Sequence, residues 1–250
     1  MKPKHSAFSR LDHRPWPAPS DNWTWRQSWH DLLFAHWPVP AAALRHLVPR
    51  ELEIQEFNGS SWVGVVPFRM SGVSFRCVPD IPWISEFPEL NLRLYVERDH
   101  KPGVWFLSLD ATNPIAIWAA RRFFRLPYHH ARITMERDRE AIIYRSERRV
   151  KAGKPVRFQA TYEPTSPPYQ AQPGTIEHFL TERYCLYAQD RAGILYRCEV
   201  HHVPWPLQQA QAKIRWNGLA DPHGFELSGP PLLLHFARRL DVVGWREIEC

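Results

Sequence analysis

The clearest fold signal in this chain lies in the stretch Ala119-Ala120-Arg121-Arg122-Phe123-Phe124-Arg125-Leu126-Pro127-Tyr128-His129-His130. Just before it, Asn113 can cap a helix and Pro114 suits a helical first turn. The helix is expected to run to about Arg125 and to stop before Pro127, because the residue preceding a proline avoids helical geometry. Residues 128–137 should then continue as a strand. The stretch therefore predicts a helix that leads through a proline into a β-strand.

Short apolar runs separated by turn residues make up most of the chain on both sides of this stretch. The other predicted helices cover residues 40–48 and a short segment that begins at Thr175. Residues 72–88 contain several prolines and are expected to form a long loop. The predicted strands are residues 25–34, 53–57, 61–70, 89–98, 104–110, 128–137, 142–149, 156–162, 183–188, 194–202, 232–236 and 240–245. Roughly ten strands and three short helices, joined mainly as hairpins, indicate an α+β fold that is mostly antiparallel.

The length of 250 residues fits one large domain with a substantial core. Residues 1–22 are polar, basic and rich in proline, so we expect a flexible N-terminal arm followed by a single domain over residues 23–250. This arm lacks the apolar core of a signal peptide, and no apolar run reaches the ~18 residues of a membrane helix. The sequence therefore predicts a cytoplasmic protein without a membrane partner.

Cysteine usage and charge agree with that prediction. Cys77, Cys185, Cys198 and Cys250 are widely spaced and contain no C-x-x-C pair, which favours reduced thiols over disulfides. The net charge is +6 with 13 histidines uncounted, and this balance permits anionic ligands. The basic residues are scattered rather than clustered, so a solvated basic surface is favoured over a nucleic-acid footprint. Assembly into a homo-oligomer is left open by the sequence.

Residues 89–96 alternate strictly between polar and apolar side chains, as a strand with two different faces does. Glu89, Asn91, Arg93 and Tyr95 share one face, and leucines and Val96 occupy the other. One interpretation is a half-buried strand whose polar face meets water. The other places this face in a cavity, where Glu89 moves protons and Arg93 holds a carboxylate.

Three further features carry alternatives. Arg69 ends the apolar run 62–68 and lies either at an exposed strand exit or against an anionic ligand. Trp205, between two prolines, either roofs a pocket or anchors a core. The pairs His129-His130 and His201-His202 lack the spacing of H-E-x-x-H or C-x-x-C sites, so no metal site is predicted and hydrogen-bonded histidines are the default. With no glycine-rich phosphate loop either, we expect no cofactor.

Several blocks together identify the chain as resembling one family. They are Leu32-Leu33-Phe34-Ala35-His36-Trp37, Val65-Val66-Pro67-Phe68-Arg69, Phe87-Pro88-Glu89-Leu90-Asn91, Pro102-Gly103-Val104-Trp105-Phe106, Leu126-Pro127-Tyr128, Leu180-Thr181-Glu182-Arg183-Tyr184, His201-His202-Val203-Pro204-Trp205-Pro206-Leu207 and His235-Phe236-Ala237-Arg238-Arg239. From about Trp25 to Trp245 the chain resembles the uncharacterised YqjF-like family, domain-of-unknown-function family 2071. That family is in turn similar to the acetoacetate decarboxylase fold, a cone- or barrel-like sheet around a central cavity.

The second likeness rests on three places. Residues 42–49 resemble the short helix after the first strand of that fold, Glu89 matches a glutamate of the decarboxylase pocket, and Tyr128-His129 occupy the position of its lysine pair. The decarboxylases use one of those lysines to form a Schiff base with the substrate ketone. An arginine that they carry before the short helix should fall near Trp37 or Pro38 and is absent here, so His36 or Arg69 is expected to replace it.

The lysine pair is missing, and Lys101 is the nearest lysine in sequence, while Lys151, Lys154 and Lys213 fall in other segments. The resemblance therefore implies a lyase-like enzyme that works by acid/base chemistry on a small oxo or hydroxy carboxylate, without a Schiff base.

In this hypothesis the general base is Glu89, and Tyr128 and His129 are proton donors or oxyanion partners. The carboxylate anchor is Arg69 or Arg93, and Asn91, His36 and Trp205 complete the binding site for a small organic acid. Two alternatives stay open: a non-catalytic protein that binds a small organic ligand, and a metal-dependent enzyme that uses its histidines.

Overall fold

A computed structural model describes residues 5–76, 85–149 and 154–250 of the chain. Cys77, Lys151 and the central part of the predicted loop 72–88 lie outside these residues. Within the described part, no helix is both long and apolar enough to cross a membrane.

The described residues contain three α-helices and fourteen strands. The helices are α1 (Ala41–Leu44), α2 (Pro114–Phe123) and α3 (Ile176–Thr181), with 3-10 turns at Ser6–Ser9, Arg45–Leu47 and Asp221–His223. The strands are β1 (Trp25–Val39), β2 (Glu53–Ile54), β3 (Glu56–Phe57), β4 (Ser60–Phe75), β5 (Phe87–Arg98), β6 (Lys101–Ala111), β7 (Tyr128–Asp138), β8 (Ala141–Arg148), β9 (Arg157–Pro164), β10 (Cys185–Gln189), β11 (Leu195–His201), β12 (Gln208–Asn217), β13 (Leu233–Gly244) and β14 (Ile248–Glu249).

The predicted fold class is confirmed, because a mostly antiparallel sheet dominates and the helices are few. Strand β6 makes the parallel pairings of the described sheet, with β7 and with β10. A parallel pairing needs a crossover connection, and α2 supplies the one between β6 and β7. The predicted helix–proline–strand segment is therefore the crossover that places β7 beside β6.

Some predicted bounds differ from those in the structure. Strand β1 continues to Val39 instead of stopping at residue 34, and β13 is one strand where two were expected. Strand β12 was not predicted. Its inward positions are only half-buried and alternate with exposed polar residues, so it has no apolar run that would have indicated a strand.

The sheet closes on itself twice. In the first ring, β1 pairs with β4, β4 with β5, β5 with β6, β6 with β10, β10 with β11, β11 with β13, and β13 with β1. In the second ring, the path leaves β6 through β7, β8, β9 and β12 and returns to β13. Strands β13, β1, β4, β5 and β6 belong to both rings and form a shared wall.

The shared wall explains the sequence of β5. Leu90, Leu92, Leu94 and Val96 pack in one cluster with Tyr144, Phe158 and Tyr162, which come from β8 and β9 of the second ring. Successive side chains of a strand point to opposite faces. The polar face of β5 therefore turns into the first ring, and not towards solvent.

The N-terminal segment packs against the sheet where it is described. Ala7 is buried in a small cluster with Val243 and Trp245, and Arg14 forms a buried ion pair with Glu199 at 2.9 Å. The domain boundary after residue 22 stays a prediction.

The first ring closes tightly at Gly244, which pairs with Trp25 of β1 and with Val200 of β11. A Cβ at this glycine would overlap the indole of Trp25. Gly244→Ala should therefore lower the free energy of unfolding by about 2 kcal/mol, as overpacking typically does. Urea unfolding monitored by circular dichroism measures this cost.

The matched control is the same substitution in a Trp25→Ala background. There the added methyl group has room, so Gly244→Ala should cost little, and the double-mutant cycle should show strong coupling. An equal cost in both backgrounds would show that the indole does not determine the need for glycine.

Candidate functional site

A cavity of about 360 Å³ lies within the first ring. It is lined by β1, β4, β5, β6, β10 and β11, by α2 and Tyr128, and by the segment from His202 to Trp205. A volume of this size is typical of small-molecule sites, which commonly start at about 300 Å³. Apolar side chains dominate its wall, and nine of the lining residues are aromatic: Trp25, Trp29, Phe68, Phe75, Phe87, Phe106, Phe124, Tyr128 and Trp205.

Strand β5 contributes three polar side chains to this cavity, Glu89, Asn91 and Arg93. All three are buried, and their spacing of two residues puts them on one strand face. The interpretation of residues 89–96 as a half-buried strand with a wet polar face does not hold, because the second ring covers the leucine face and the first ring encloses the polar one.

The hydroxyl of Tyr128 donates a hydrogen bond to Glu89 Oε2 at 2.6 Å. Burial raises the pKa of Glu89 to about 7, although the hydrogen bonds from Tyr128 and Asn91 act in the opposite direction. Burial, followed by the charge of Glu89, raises the pKa of Tyr128 well above its ordinary value. Near neutral pH the pair therefore combines a carboxyl group poised between its two protonation states and a phenol that keeps its proton.

The stretch that follows α2 places Tyr128 at this point. Asn113 caps the helix by accepting hydrogen bonds from Ile115 N and Ala116 N. Past the end of the helix Arg125 has a left-handed backbone (φ 53°) that turns the chain. Arg121 then holds the new strand by donating from Nε to the Tyr128 carbonyl at 2.7 Å. The expected helix–proline–strand geometry thus delivers the phenol to the cavity.

Arg93 is a buried cation with spare hydrogen-bonding capacity. Its guanidinium lies 5.0 Å from the Phe34 ring centroid and 5.7 Å from that of Tyr95. Across residues 5–76, 85–149 and 154–250, no carboxylate pairs with Arg93 and its Nε has no hydrogen-bond partner. A desolvated cation of this kind favours an anionic ligand, because an unpaired buried charge is costly.

Arg183 is a second buried cation in the cavity wall. Its Nε donates to the Phe179 carbonyl at 2.7 Å, and another guanidinium nitrogen donates to Gln55. Burial lowers the pKa of Arg183 to about 10, so it stays charged at neutral pH. Two of its hydrogen-bond donors are therefore engaged by the protein, and Arg183 adds positive potential to the cavity wall.

His129 does not reach the cavity. It follows Tyr128 directly on β7, so its side chain points to the opposite face of the strand. Burial and then the Arg148 and Arg121 charges lower its pKa to about 4, which keeps the imidazole neutral. The expectation that Tyr128 and His129 both line one cavity therefore fails on strand parity.

Arg69 and His36 also lie outside the cavity lining. On β4 the side chains of Val66, Phe68 and Met70 face inward, so Arg69 points away and forms an ion pair with Glu86 at the surface. His36 is completely buried, and its Nε2 makes a 2.6 Å hydrogen bond with the Tyr95 hydroxyl. Neither residue is among those that line the cavity, and their expected role in place of the decarboxylase arginine stays a prediction.

Trp205 is at the cavity wall, stacked on Trp29 with ring centroids 5.6 Å apart. Sequence reasoning missed Thr181, Arg183, Cys185 and His202, which line the cavity as well. All except Cys185 lie in two of the sequence blocks that carry the family resemblance. Their position in these blocks was the signal that could have identified them as site residues. Their convergence depends on the parallel pairing of β10 with β6, which no local pattern indicates.

The described residues provide neither a cluster of metal ligands nor a lysine in the cavity lining. In that part of the chain no group of three or more histidine, cysteine or acidic side chains is arranged to hold a metal ion. Nor is any described lysine among the residues that line the cavity, and Lys101 instead pairs with Glu199 at 3.1 Å.

The chain matches one sequence family and shares its fold with several solved structures. The sequence profile of domain-of-unknown-function family 2071, described as an uncharacterized conserved protein, matches residues 26–241. The uncharacterized protein YqjF of Bacillus subtilis (strain 168) is 43% identical over 236 residues, which cover 94% of this chain and 96% of that protein.

Solved structures with the same fold are more distant in sequence. The enduracididine biosynthesis enzyme MppR, complexed with pyruvate, superimposes with a TM-score of 0.62 at 15% identity and covers 90% of each chain. Acetoacetate decarboxylase from Legionella pneumophila gives a TM-score of 0.60 at 12% identity, covering 96% of this chain and 93% of that one. The predicted acetoacetate decarboxylase-like fold is confirmed.

The raised pKa of Glu89 makes stability depend on pH. The folded protein keeps this proton up to about pH 7, whereas the ordinary value is 4.5. Folding therefore takes up a proton within this window, and the free energy of unfolding falls as pH rises through it. Relative to Glu89→Gln, which cannot ionise, the wild type should lose about 3 kcal/mol between pH 4.5 and pH 7.5. Urea unfolding across this range measures the difference.

The control is Glu86→Gln, a change at an exposed carboxylate, and it should reproduce the wild-type pH profile. Asp110, whose pKa burial raises to about 6, is present in all three proteins. A wild-type profile parallel to that of Glu89→Gln would show that Glu89 ionises as it does in water.

Proposed function

The chain belongs to the YqjF-like family, domain-of-unknown-function family 2071, and on that premise we propose that it is an acid/base enzyme acting on an oxo or hydroxy carboxylate. The reaction is lyase-like and uses no Schiff base. The observation that carries the proposal is the Glu89–Tyr128 hydrogen bond of 2.6 Å, buried in a cavity that also holds the unpaired Arg93. A fold relative complexed with pyruvate supports a small oxo acid as the starting point.

Arg93 anchors the substrate carboxylate in this proposal. Planar guanidinium and carboxylate groups form paired, charge-assisted hydrogen bonds, which fix both position and orientation. Arg93 and Glu89 are four residues apart on β5, about 13 Å along the strand. In the proposal, a substrate whose carboxylate is held by Arg93 extends along β5, so that its neighbouring carbons come near Glu89. The Asn91 amide lies between the two.

Glu89 is the general base. It removes a proton from the carbon next to the substrate carbonyl, and the electron pair of that C–H bond moves onto the carbonyl oxygen to give an enolate. A base with a pKa near 7 suits proton transfer at neutral pH. Once Glu89 is protonated it no longer requires the Tyr128 hydroxyl as a donor, and that hydroxyl can turn to the enolate oxygen.

The enolate then has two outcomes open to it. Return of the proton at another atom isomerises the substrate. Where a hydroxyl group stands on the next carbon, the enolate expels it, and the proton held by Glu89 leaves with it as water. Neither route attaches the substrate covalently to the protein, in agreement with a cavity lining that contains no described lysine. The proposal gives His129, Arg69 and His36 no contact with the substrate, and Trp205 a place in the wall.

We further infer a cytoplasmic location and no nucleic-acid partner. The cysteines of the described residues, Cys185, Cys198 and Cys250, are free thiols, which suits a reducing compartment. Burial raises the pKa of Cys185 and of Cys198 to about 12, so these thiols stay protonated and unreactive.

Proton abstraction can be tested before the physiological substrate is known. In deuterium oxide, wild-type protein should exchange the C3 protons of 2-oxobutanoate, followed by proton NMR. Glu89→Gln should slow this exchange at least about 100-fold, the size of a general-base contribution, while the dissociation constant of the acid changes little. Tyr128→Phe should slow exchange about tenfold or more, because one oxyanion donor is lost.

Glu86→Gln is the matched control and should exchange at the wild-type rate. If Glu89→Gln alters affinity but no protein accelerates exchange, the chain is a non-catalytic binding protein. Sodium borohydride treatment with the acid should leave the protein mass unchanged, and a lysine adduct would instead demonstrate Schiff-base chemistry.

A further inference from the structure

We propose that the carboxylate taken by this cavity carries a large apolar body, an aryl group or an alkyl chain, and that the ligand has roughly a dozen non-hydrogen atoms. The inference rests on the proposed function only for the position of the carboxylate at Arg93. It goes further in naming the substrate class, an amphiphilic oxo acid instead of a three-carbon one.

The volume of the cavity is the first argument. At about 30 Å³ for each water molecule, 360 Å³ has room for roughly twelve waters. A three-carbon oxo acid would fill only about half of that space. Small-molecule sites normally enclose most of their ligand's surface, so a well-matched ligand is about twice as large.

The distribution of polar groups along the cavity is the second argument. The register of β4 with β5 pairs Gly64 with Arg93, Val66 with Asn91, Phe68 with Glu89, and Met70 with Phe87. Moving from Arg93 towards Phe87, the wall therefore changes from charged to apolar. A ligand whose carboxylate meets Arg93 and which extends along β5 past Glu89 therefore places its far end against Phe87 and Met70.

The mouth of the cavity continues this apolar path. Trp25 pairs with Phe75 at the far end of β1 and β4, and both line the cavity together with Ile115 and Phe124. Phe75 is 41% exposed and Ile115 is 56% exposed, so the opening to solvent has an apolar rim. A small, strongly hydrated acid gains nothing from such a rim, whereas an aryl or alkyl group does.

Substitutions on helix α2 can change the space that is available at the mouth of the cavity. Ala116, Ala119 and Ala120 present small side chains to the cavity, and they leave the space that an apolar body would fill. Ala119 lies on α2 whereas Glu89 and Arg93 lie on β5, so a larger side chain at Ala119 would reduce this space without replacing a polar group of the cavity. This residue therefore separates chain-length selection from chemistry.

The test is a homologous series of straight-chain 2-oxo acids from pyruvate to 2-oxodecanoate, with phenylpyruvate added, whose dissociation constants are measured by isothermal titration calorimetry. Affinity should rise about threefold to fourfold for each methylene until the ligand reaches roughly a dozen heavy atoms, and should then level off or fall. Nonan-2-one, which lacks the carboxylate, should bind at least about tenfold more weakly than the acid of equal length.

Two variants separate the two ends of the ligand. Arg93→Gln should weaken every acid at least about tenfold without changing the gain per methylene, and should leave nonan-2-one unaffected. Ala119→Trp should weaken the long acids at least about tenfold and leave pyruvate unchanged. Arg122→Trp, on the exposed face of α2, is the control for adding an indole to this helix.

The outcomes distinguish the inference of a large apolar ligand from the proposed role of Glu89 as general base. Affinity that does not rise with chain length, or a series in which no acid binds, overturns the inference. If the length dependence is found but Glu89→Gln still catalyses deuterium exchange, the inference holds and the proposed base is wrong.

Discussion

Everything in this molecule depends on a wall of strands that belongs to two closed rings at once. Strand β5 has no solvent face, because its leucines enter the core of the second ring and its polar residues enter the cavity of the first. The topology of the two rings therefore desolvates Glu89 and Arg93. Desolvation raises the pKa of Glu89, and it makes an anion near Arg93 favourable because a buried charge without a counterion is costly. The closure of the sheet therefore also determines the electrostatic properties of the cavity.

Local sequence patterns were sufficient to predict much of this arrangement. The alternation of residues 89–96, the cap at Asn113 and the stop before Pro127 predicted the face of β5 and the course of α2 into β7. The same parity rule separates Tyr128 from His129, and applying it to adjacent residues would have removed His129 from the site. Strand β12 escaped prediction because its inward positions are only partly covered, and Arg183 and His202 because ring closure brings them in from distant segments.

The cations among the described residues that line the cavity are arginines, which separates the proposed chemistry from a Schiff-base mechanism. Lysine can exchange its proton and become a nucleophile, whereas the arginine guanidinium stays charged and only binds. The cavity lining contains arginines and no described lysine, and in the proposed function their positive charge holds and orients an anion. In the same proposal the proton is transferred by a carboxyl group beside a phenol, which suits a reaction that passes through an enolate.

Helix α2 exists because β6 and β7 run in the same direction and their connection must cross over. The same crossover forms one side of the cavity mouth, and α2 makes its main contacts with β7. Changes on the inner face of this helix can thus alter which molecules enter without disturbing the hydrogen-bonded rings. The architecture therefore allows residues that contact a ligand at the mouth to change while the hydrogen-bonded scaffold stays the same.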